Sequence, residues 1–137
     1  MRSLSLALAA LLLSVPAFAA TTPPPPTQPP PPPTAAAAPP YEDQLLRLAE
    51  ILGALAYLRP LCKADDGAAW REEMQGLLDD ERPDPARRAR LVDRFNHGYD
   101  TYKSVYLECT AAATLSTDRY LNEGVKISAD ITARYGK

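Results

Sequence analysis

The stretch EDQLLRLAEILGALAYL, at residues 42–58, determines the fold class that the sequence predicts. Its leucines recur at spacings of three and four, and two further apolar residues widen the stripe. The stripe comprises Leu45, Leu48, Ile51, Leu52, Leu55 and Leu58. This periodicity predicts an amphipathic α-helix. Glu42 and Asp43 suit the positive end of its dipole, and Arg59-Pro60 predicts its end, because a residue before proline is displaced from the α region.

Three further segments share this helical periodicity, and no strand-like alternation is present after residue 41. The predicted helices are 42–58, 67–80, 86–113 and a last one from Ser116 or Thr117 to Gly136. Asp65 or Asp66 is placed to cap the second helix, and Asp84-Pro85 supplies a cap and a first-turn proline for the third. Gly98 inside the third helix indicates a close crossing or a bend. We therefore predict an all-α fold, a small bundle of about four helices.

The N-terminus has the pattern of a secretory signal peptide. Arg2 precedes an apolar run over Leu4–Leu13, and Ala17-Phe18-Ala19 provides small residues before a cleavage point. This pattern predicts a signal peptide over residues 1–19, cleaved after Ala19. The apolar run is shorter than the roughly 20 residues that span a bilayer. We therefore expect an exported, soluble product with no stable membrane insertion after cleavage; an uncleaved anchor is the alternative.

Residues 20–40 are predicted to form a disordered, proline-rich linker. Eleven of the 15 prolines lie between Pro23 and Pro40, and that segment carries no charge. Proline lacks the N–H needed for helix or sheet, so polyproline II is the regular conformation open to it. The segment is interpreted either as a spacer or as a ligand for an aromatic-lined groove. Residues 41–137 then form a single helical domain.

The chain contains two cysteines, Cys62 and Cys109. An even number in an exported chain favours a disulfide. Such a bond would contribute roughly 4 kcal/mol by restricting the unfolded chain. Buried free thiols and a redox-active pair are the alternatives, although the C-x-x-C spacing usual for redox activity is absent.

The sequence contains little that suggests catalysis. His97 is the single histidine, with Asp93 and Asp100 within one helical turn. A general base needs a nucleophile or bound water within reach, and Ser104 lies two turns away on the same predicted helix. A zinc site needs three or four ligands, so we expect no metal, no cofactor and no catalytic residue. The favoured interpretation of His97 is a solvent-facing side chain.

Charge is unevenly distributed along the helical domain. Residues 41–137 hold 14 basic and 17 acidic side chains, which argues against nucleic acid as a partner. Asp79, Asp80 and Glu81 end the second helix, and an arginine cluster begins the third. The two clusters could pair across the intervening loop. Alternatively, an Arg-rich face binds carboxylates or phosphates of a partner, and its residues are Arg87, Arg90, Arg94 and His97.

Tyrosine supplies seven of the ten aromatic residues. Five of them lie on the third and fourth predicted helices: Tyr99, Tyr102, Tyr106, Tyr120 and Tyr135. A buried hydroxyl needs a partner, so tyrosine often marks the margin of a core or an interface. These tyrosines are interpreted either as the edge of the core or as the lining of a ligand groove.

Several short stretches resemble a small family of exported alphaproteobacterial proteins of unknown function. They are YEDQL at Tyr41–Leu45, LRPLC at Leu58–Cys62 and YKSVY at Tyr102–Tyr106, preceded by the signal peptide and proline spacer. The resemblance covers about residues 41–137. It implies a Gram-negative periplasm and two well-separated cysteines suited to a disulfide, here Cys62 and Cys109. It identifies no catalytic residue.

These observations predict a non-enzymatic periplasmic helical module that binds an envelope component, such as a factor of cell-wall synthesis or turnover. One alternative is a small envelope enzyme that uses His97 as general base. Another is a periplasmic carrier with a tyrosine-lined groove for a small ligand. The sequence makes no prediction of oligomeric state.

Overall fold

The computed structural model describes residues 37–136, which form four α-helices without any strand. The helices are α1 (Glu42–Leu61), α2 (Gly67–Glu81), α3 (Pro85–Val105) and α4 (Ala111–Tyr135). The predicted all-α bundle of four helices with one disulfide is confirmed. None of these helices is long and apolar enough to cross a bilayer. The predicted signal peptide (1–19) and all of the predicted linker up to residue 36 lie outside the described residues.

Helix α1 lies at the centre of the bundle. Every extensive helix–helix contact in the described part of the chain involves α1. The six consecutive residues Ile51–Ala56 are buried, so this part of α1 is enclosed on all sides. Two core clusters surround it: Leu45, Ala49, Leu52, Met74, Leu78 and Leu91 in the first, and Ile51, Ala54, Leu55, Leu58, Ala113 and Tyr120 in the second. The other three helices therefore pack chiefly on α1.

Helices α1 and α3 cross closely at two glycines. A Cβ atom at Gly53 would overlap the carbonyl oxygen of Phe95, and one at Gly98 would overlap that of Glu50. Both obstacles are backbone atoms, which cannot move aside as a flexible side chain can. Of the close crossing and the bend that Gly98 left open as alternatives, the structure shows the close crossing.

The prediction of one long third helix over 86–113 is wrong over its last eight residues, 106–113. Helix α3 ends at Val105, and residues 106–110 connect it to α4. Thr110 is the N-cap of α4, and its Oγ1 accepts a hydrogen bond from the Ala113 N–H at 3.1 Å. Thr117, a predicted start of this helix, lies inside it. The apolar spacing happens to continue across the break, so periodicity alone concealed the capping threonine.

Helix α1 continues past its predicted end, and Pro60 lies in its last turn. The last helical residue is Leu61, and the chain leaves the helix through Lys63, whose φ of 66° is left-handed. The Lys63 N–H donates to the Pro60 carbonyl and the Ala64 N–H to the Arg59 carbonyl, both at 3.0 Å. This pair of bonds is the Schellman arrangement, which satisfies the terminal carbonyls of a helix.

The two predicted N-caps have different outcomes. Asp84 caps α3, because its Oδ1 accepts a hydrogen bond from the Arg87 N–H at 2.8 Å and Pro85 is the first helical residue. Asp66 occupies the N-cap position of α2, but its side chain makes no capping bond. Its carboxylate accepts from the Arg59 guanidinium instead. The Asp66 carboxylate thus pairs with the Arg59 guanidinium of α1 and not with the first backbone N–H groups of α2.

The disulfide between Cys62 and Cys109 joins the end of α1 to the α3–α4 connection, with the Cα atoms 4.9 Å apart. Neither cysteine is free. Cys109 therefore lies in the connection and not on the third helix, where the sequence placed it. The Tyr57 hydroxyl of α1 also donates a hydrogen bond to the Tyr106 carbonyl at 2.5 Å. Two contacts thus hold this connection against the end of α1.

Gly53→Ala is expected to lower the free energy of unfolding by about 3 kcal/mol, because overpacking a core against rigid atoms costs about 1–3 kcal/mol or more. The control is Gly76→Ala in α2, where no atom lies within 4 Å of the added Cβ. That substitution should raise stability by about 0.5–1 kcal/mol through helix propensity. Urea unfolding followed by circular dichroism measures both. Equal effects of the two substitutions would contradict the close crossing.

Reduction of Cys62–Cys109 is expected to lower the free energy of unfolding by about 4 kcal/mol, because a loop of this length gains much entropy when it is opened. Guanidinium unfolding with and without reductant measures the change. The Cys62→Ser/Cys109→Ser double variant is the control, and reductant should not alter its midpoint. If reductant leaves the native midpoint unchanged, the bond does not constrain the unfolded chain.

Candidate interaction groove

The structure separates the four residues of the predicted Arg-rich face. Arg87 is buried; its Nε donates to Glu42 at 2.5 Å and its Nη2 donates to Glu81 at 2.6 Å. Arg87 thereby links the start of α1, the end of α2 and the start of α3. The pairing predicted across the α2–α3 loop is present for Arg87 and Glu81. Since Arg87 is enclosed by these carboxylates, it is not presented to a partner.

Arg90, Arg94 and His97 lie on an exposed face of α3. The arginine side chains are 55% and 52% exposed, and each guanidinium lies near a carboxylate of α1, at 3.6 Å from Glu42 and 3.7 Å from Glu50. These contacts leave the charges largely in solvent, where ion pairs are weak. The three residues remain available to a partner, and their predicted role stays a prediction.

The His97 side chain shows no interaction, among the described residues, of the kind that catalysis or metal binding requires. Among residues 37–136, no hydrogen bond or ion pair involves its imidazole, and no three His, Cys, Asp or Glu side chains are grouped to hold a metal ion. Ser104, the hydroxyl considered in the sequence, donates its hydrogen to the Thr101 carbonyl at 2.8 Å. His97 is thus an exposed residue of the Arg90–Arg94 surface.

A groove of about 400 Å³ lies between α2 and α4, and α1 forms its floor. It exists because α2 and α4 pack on different sides of α1 without extensive contact with each other. We name it the α2–α4 groove. Its floor is Leu48, Ile51, Leu52 and Leu55, its α2 wall is Asp66, Ala69, Trp70 and Glu73, and its α4 wall is Tyr120, Leu121, Gly124, Val125 and Ser128.

The α4 wall of this groove is uncharged and partly apolar. Val125 is 71% exposed although its side chain is apolar. Gly124 is buried, and a Cβ there would lie 3.4 Å from the Ile51 side chain, which is ordinary contact. The exposed Val125 side chain therefore leaves apolar surface open to solvent along this wall. The half-buried Trp70 of α2 lies on the opposite wall.

The α2 wall carries carboxylates at seven-residue spacing, at Asp66, Glu73 and Asp80. Asp80 lies in a shallower depression of about 280 Å³ that continues the groove and shares Glu73 with it. Hydrogen bonds from Arg59, at 2.8 and 2.5 Å to one oxygen, hold the pKa of the Asp66 carboxyl below its ordinary value. Its other oxygen and the Trp70 indole N–H are both buried, and the indole N–H is a second donor that lowers the pKa of this carboxyl.

Three tyrosines pack at the edge of the core, as one of the two interpretations predicted. They are Tyr102, Tyr106 and Tyr120. The Tyr102 hydroxyl donates to the Tyr120 hydroxyl at 2.8 Å. Burial is the larger cause and this hydrogen bond the second, and together they raise the pKa of Tyr102 to about 12. Tyr120 is the member of this set that also lines the α2–α4 groove.

Residues 37–136 form a small all-α domain in which one disulfide links the helices and a groove with apolar walls lies between α2 and α4. The chain belongs to the family described as "Protein of unknown function (DUF2385)", whose model matches residues 40–135. The resemblance to an uncharacterised family is thereby confirmed. No curated protein and no solved structure matches the chain.

Arg87→Ala is expected to lower the free energy of unfolding by about 3–5 kcal/mol, because it removes the buried, hydrogen-bonded cation of the Glu42 carboxylate and leaves only the exposed Arg90 guanidinium at 3.6 Å. Arg90→Ala is the matched control on the same helix. It removes an exposed guanidinium and should cost less than about 1 kcal/mol. Urea unfolding measures both variants, and a small effect at Arg87 would show that its ion pairs do not hold the three helices together.

Proposed function

We propose that the protein is a non-enzymatic helical interaction module of the cell envelope, which binds a segment of another protein in the α2–α4 groove. The observation that carries this proposal is the partly exposed apolar surface on the walls of the groove, at Val125 and Leu121 of α4 and Trp70 of α2, above a buried apolar floor on α1. Burial of apolar surface is the main force that stabilises small domains. Contiguous apolar surface that stays exposed is typical of interaction sites.

The proposed location is the periplasm of an alphaproteobacterium. The signal-peptide pattern over residues 1–19, with cleavage after Ala19, supports export. The Cys62–Cys109 disulfide supports the same compartment, because such bonds persist where conditions are oxidising. The proposed partner is a protein of the envelope, including factors of cell-wall synthesis or turnover.

The geometry of the groove supports a bound protein segment. Its floor residues Leu48, Leu52 and Leu55 recur along one face of α1, so the groove runs parallel to a helix axis. An elongated cleft of this kind accommodates a helix or an extended segment. The two alternatives, an enzyme that uses His97 and a carrier of a small ligand, remain proposals that the following experiments separate.

A photo-crosslinking amino acid placed at Val125 is expected to give one discrete adduct with another protein in cells that export the chain. The same amino acid at Lys126 is the control, because Lys126 is exposed and lies outside the groove lining. A Leu121→Asp change should remove the Val125 adduct, since it places a charge in the apolar wall. Denaturing gels and mass spectrometry of the adducts make the comparison.

Three outcomes bear on the function. The absence of an adduct at Val125, or equal adducts at Val125 and Lys126, would overturn the proposed groove interaction. His97→Ala should leave the adduct and the cellular role of the protein unchanged, whereas an enzyme with this general base would lose its activity. An adduct of Val125 with a small molecule, in place of one with a protein, would support a carrier.

A further inference from the structure

We infer that the segment bound in the α2–α4 groove is a cationic amphipathic helix of a partner protein, with its lysines or arginines along the edge that faces α2. This inference rests on the proposed function and adds the chemistry of the partner. It follows from the different character of the two walls and the floor.

The α2 wall is strongly acidic. Helix α2 contains five acidic side chains and one basic side chain over Gly67–Glu81. Of the carboxylates that line the groove, Glu73 and Asp80 form no ion pair with any residue from 37 to 136. Arg71, the one cation of α2, lies instead over the Tyr99 ring at 5.5 Å. The carboxylates of Glu73 and Asp80 therefore give the groove side of α2 a negative charge.

A third acidic residue adds an acceptor at one end of the groove. Asp66 uses one carboxylate oxygen for Arg59, and its other oxygen is buried beside the Trp70 indole N–H. Asp66 precedes the first residue of α2, and it continues the row of carboxylates formed by Glu73 and Asp80, with its own charge offset by Arg59.

The floor and the opposite wall favour apolar contacts. Leu48 and Leu52 form the floor, and Leu121 and Val125 provide apolar atoms along α4. No charged residue of α4 is part of the groove lining described here. An occupant that matches both sides must be apolar toward α1 and α4 and positively charged toward α2, which is the pattern of a basic amphipathic helix.

The length of the acidic wall fits about four turns of such a helix. Asp66 and Asp80 lie 14 residues apart on α2, which corresponds to about 21 Å at 1.5 Å per residue. Residues seven apart lie on the same side of a helix. Basic residues at seven-residue spacing on the occupant would therefore meet Asp66, Glu73 and Asp80 in turn.

The chain does not itself offer an obvious occupant. Arg2 is the single basic residue in the first forty. The arginines of α3 accompany Leu91 and Phe95, which already pack in the core with α1. We therefore assign the cationic helix to another protein, and association of two copies of the chain becomes an outcome that the experiment detects.

The experiment uses the full chain, purified from an exporting host, and an 18-residue peptide of leucine and lysine with lysines at seven-residue spacing on one edge. Trp70 is the only tryptophan and lines the groove, so its fluorescence reports binding there. A matched peptide carries glutamate in place of lysine. We expect the lysine peptide to bind saturably and the glutamate peptide not to bind. The affinity of the lysine peptide should fall as salt is raised.

A pair of double variants tests the role of the α2 wall. Glu73→Gln with Asp80→Asn should weaken binding by about tenfold, because it removes two unpaired charges from the groove. Glu72→Gln with Asp79→Asn is the control: it removes the same charge from the same helix, at positions outside the groove lining. Its effect should be less than about twofold, since these carboxylates do not line the groove and would not contact the peptide.

Several results would overturn the inference. They are equal binding of both peptides, no binding of the lysine peptide, and equal effects of the two double variants. A Trp70 signal that depends on protein concentration without peptide, together with a dimer in sedimentation, would identify a second copy as the occupant. In each case an adduct at Val125 with another protein would still support the proposed function, so the two failures are distinguishable.

Discussion

The close crossing of α1 and α3 is the constraint on which the other contacts depend. Gly53 and Gly98 allow the backbone of each helix to approach the carbonyl groups of the other, which a side chain at either position would prevent. Because α3 lies so near, α1 is enclosed on that side and becomes the central helix. The remaining helices, α2 and α4, then pack on other sides of α1, and the space between them is the α2–α4 groove.

Two clamps hold the ends of this arrangement. At one end, Arg87 joins three helices through Glu42 and Glu81, and at the other the Cys62–Cys109 bond ties the α3–α4 connection to α1. The groove floor lies on α1 between these clamps. A partner would therefore meet a site whose walls are already in place, and such preorganisation reduces the entropic cost of binding. The buried Arg87 thus fixes the relative positions of three helices, whereas the exposed Arg90 contacts only Glu42, at 3.6 Å.

Much of the local structure was predictable, and the errors have identifiable causes. Helix α2 begins where expected and Asp84 caps α3, because both signals are local. The break after Val105 is hidden from periodicity because apolar spacing continues through it, although Thr110 followed by three alanines is a local capping signal. Arg87 was assigned to an exposed face, because the sequence does not show which carboxylates surround a given arginine.

The sequence by itself determined the helical class and the approximate number of helices, since these depend on periodicity, and it favoured a bond between its two cysteines, which the structure contains. The tertiary structure alone decided which helix is central, which arginine is buried and where apolar surface stays open. The groove carboxylates show the difference. Their seven-residue spacing is visible in the sequence, but a wall requires a second helix at the right distance. That distance is set by the packing of α2 and α4 on α1, which involves residues far apart in the chain.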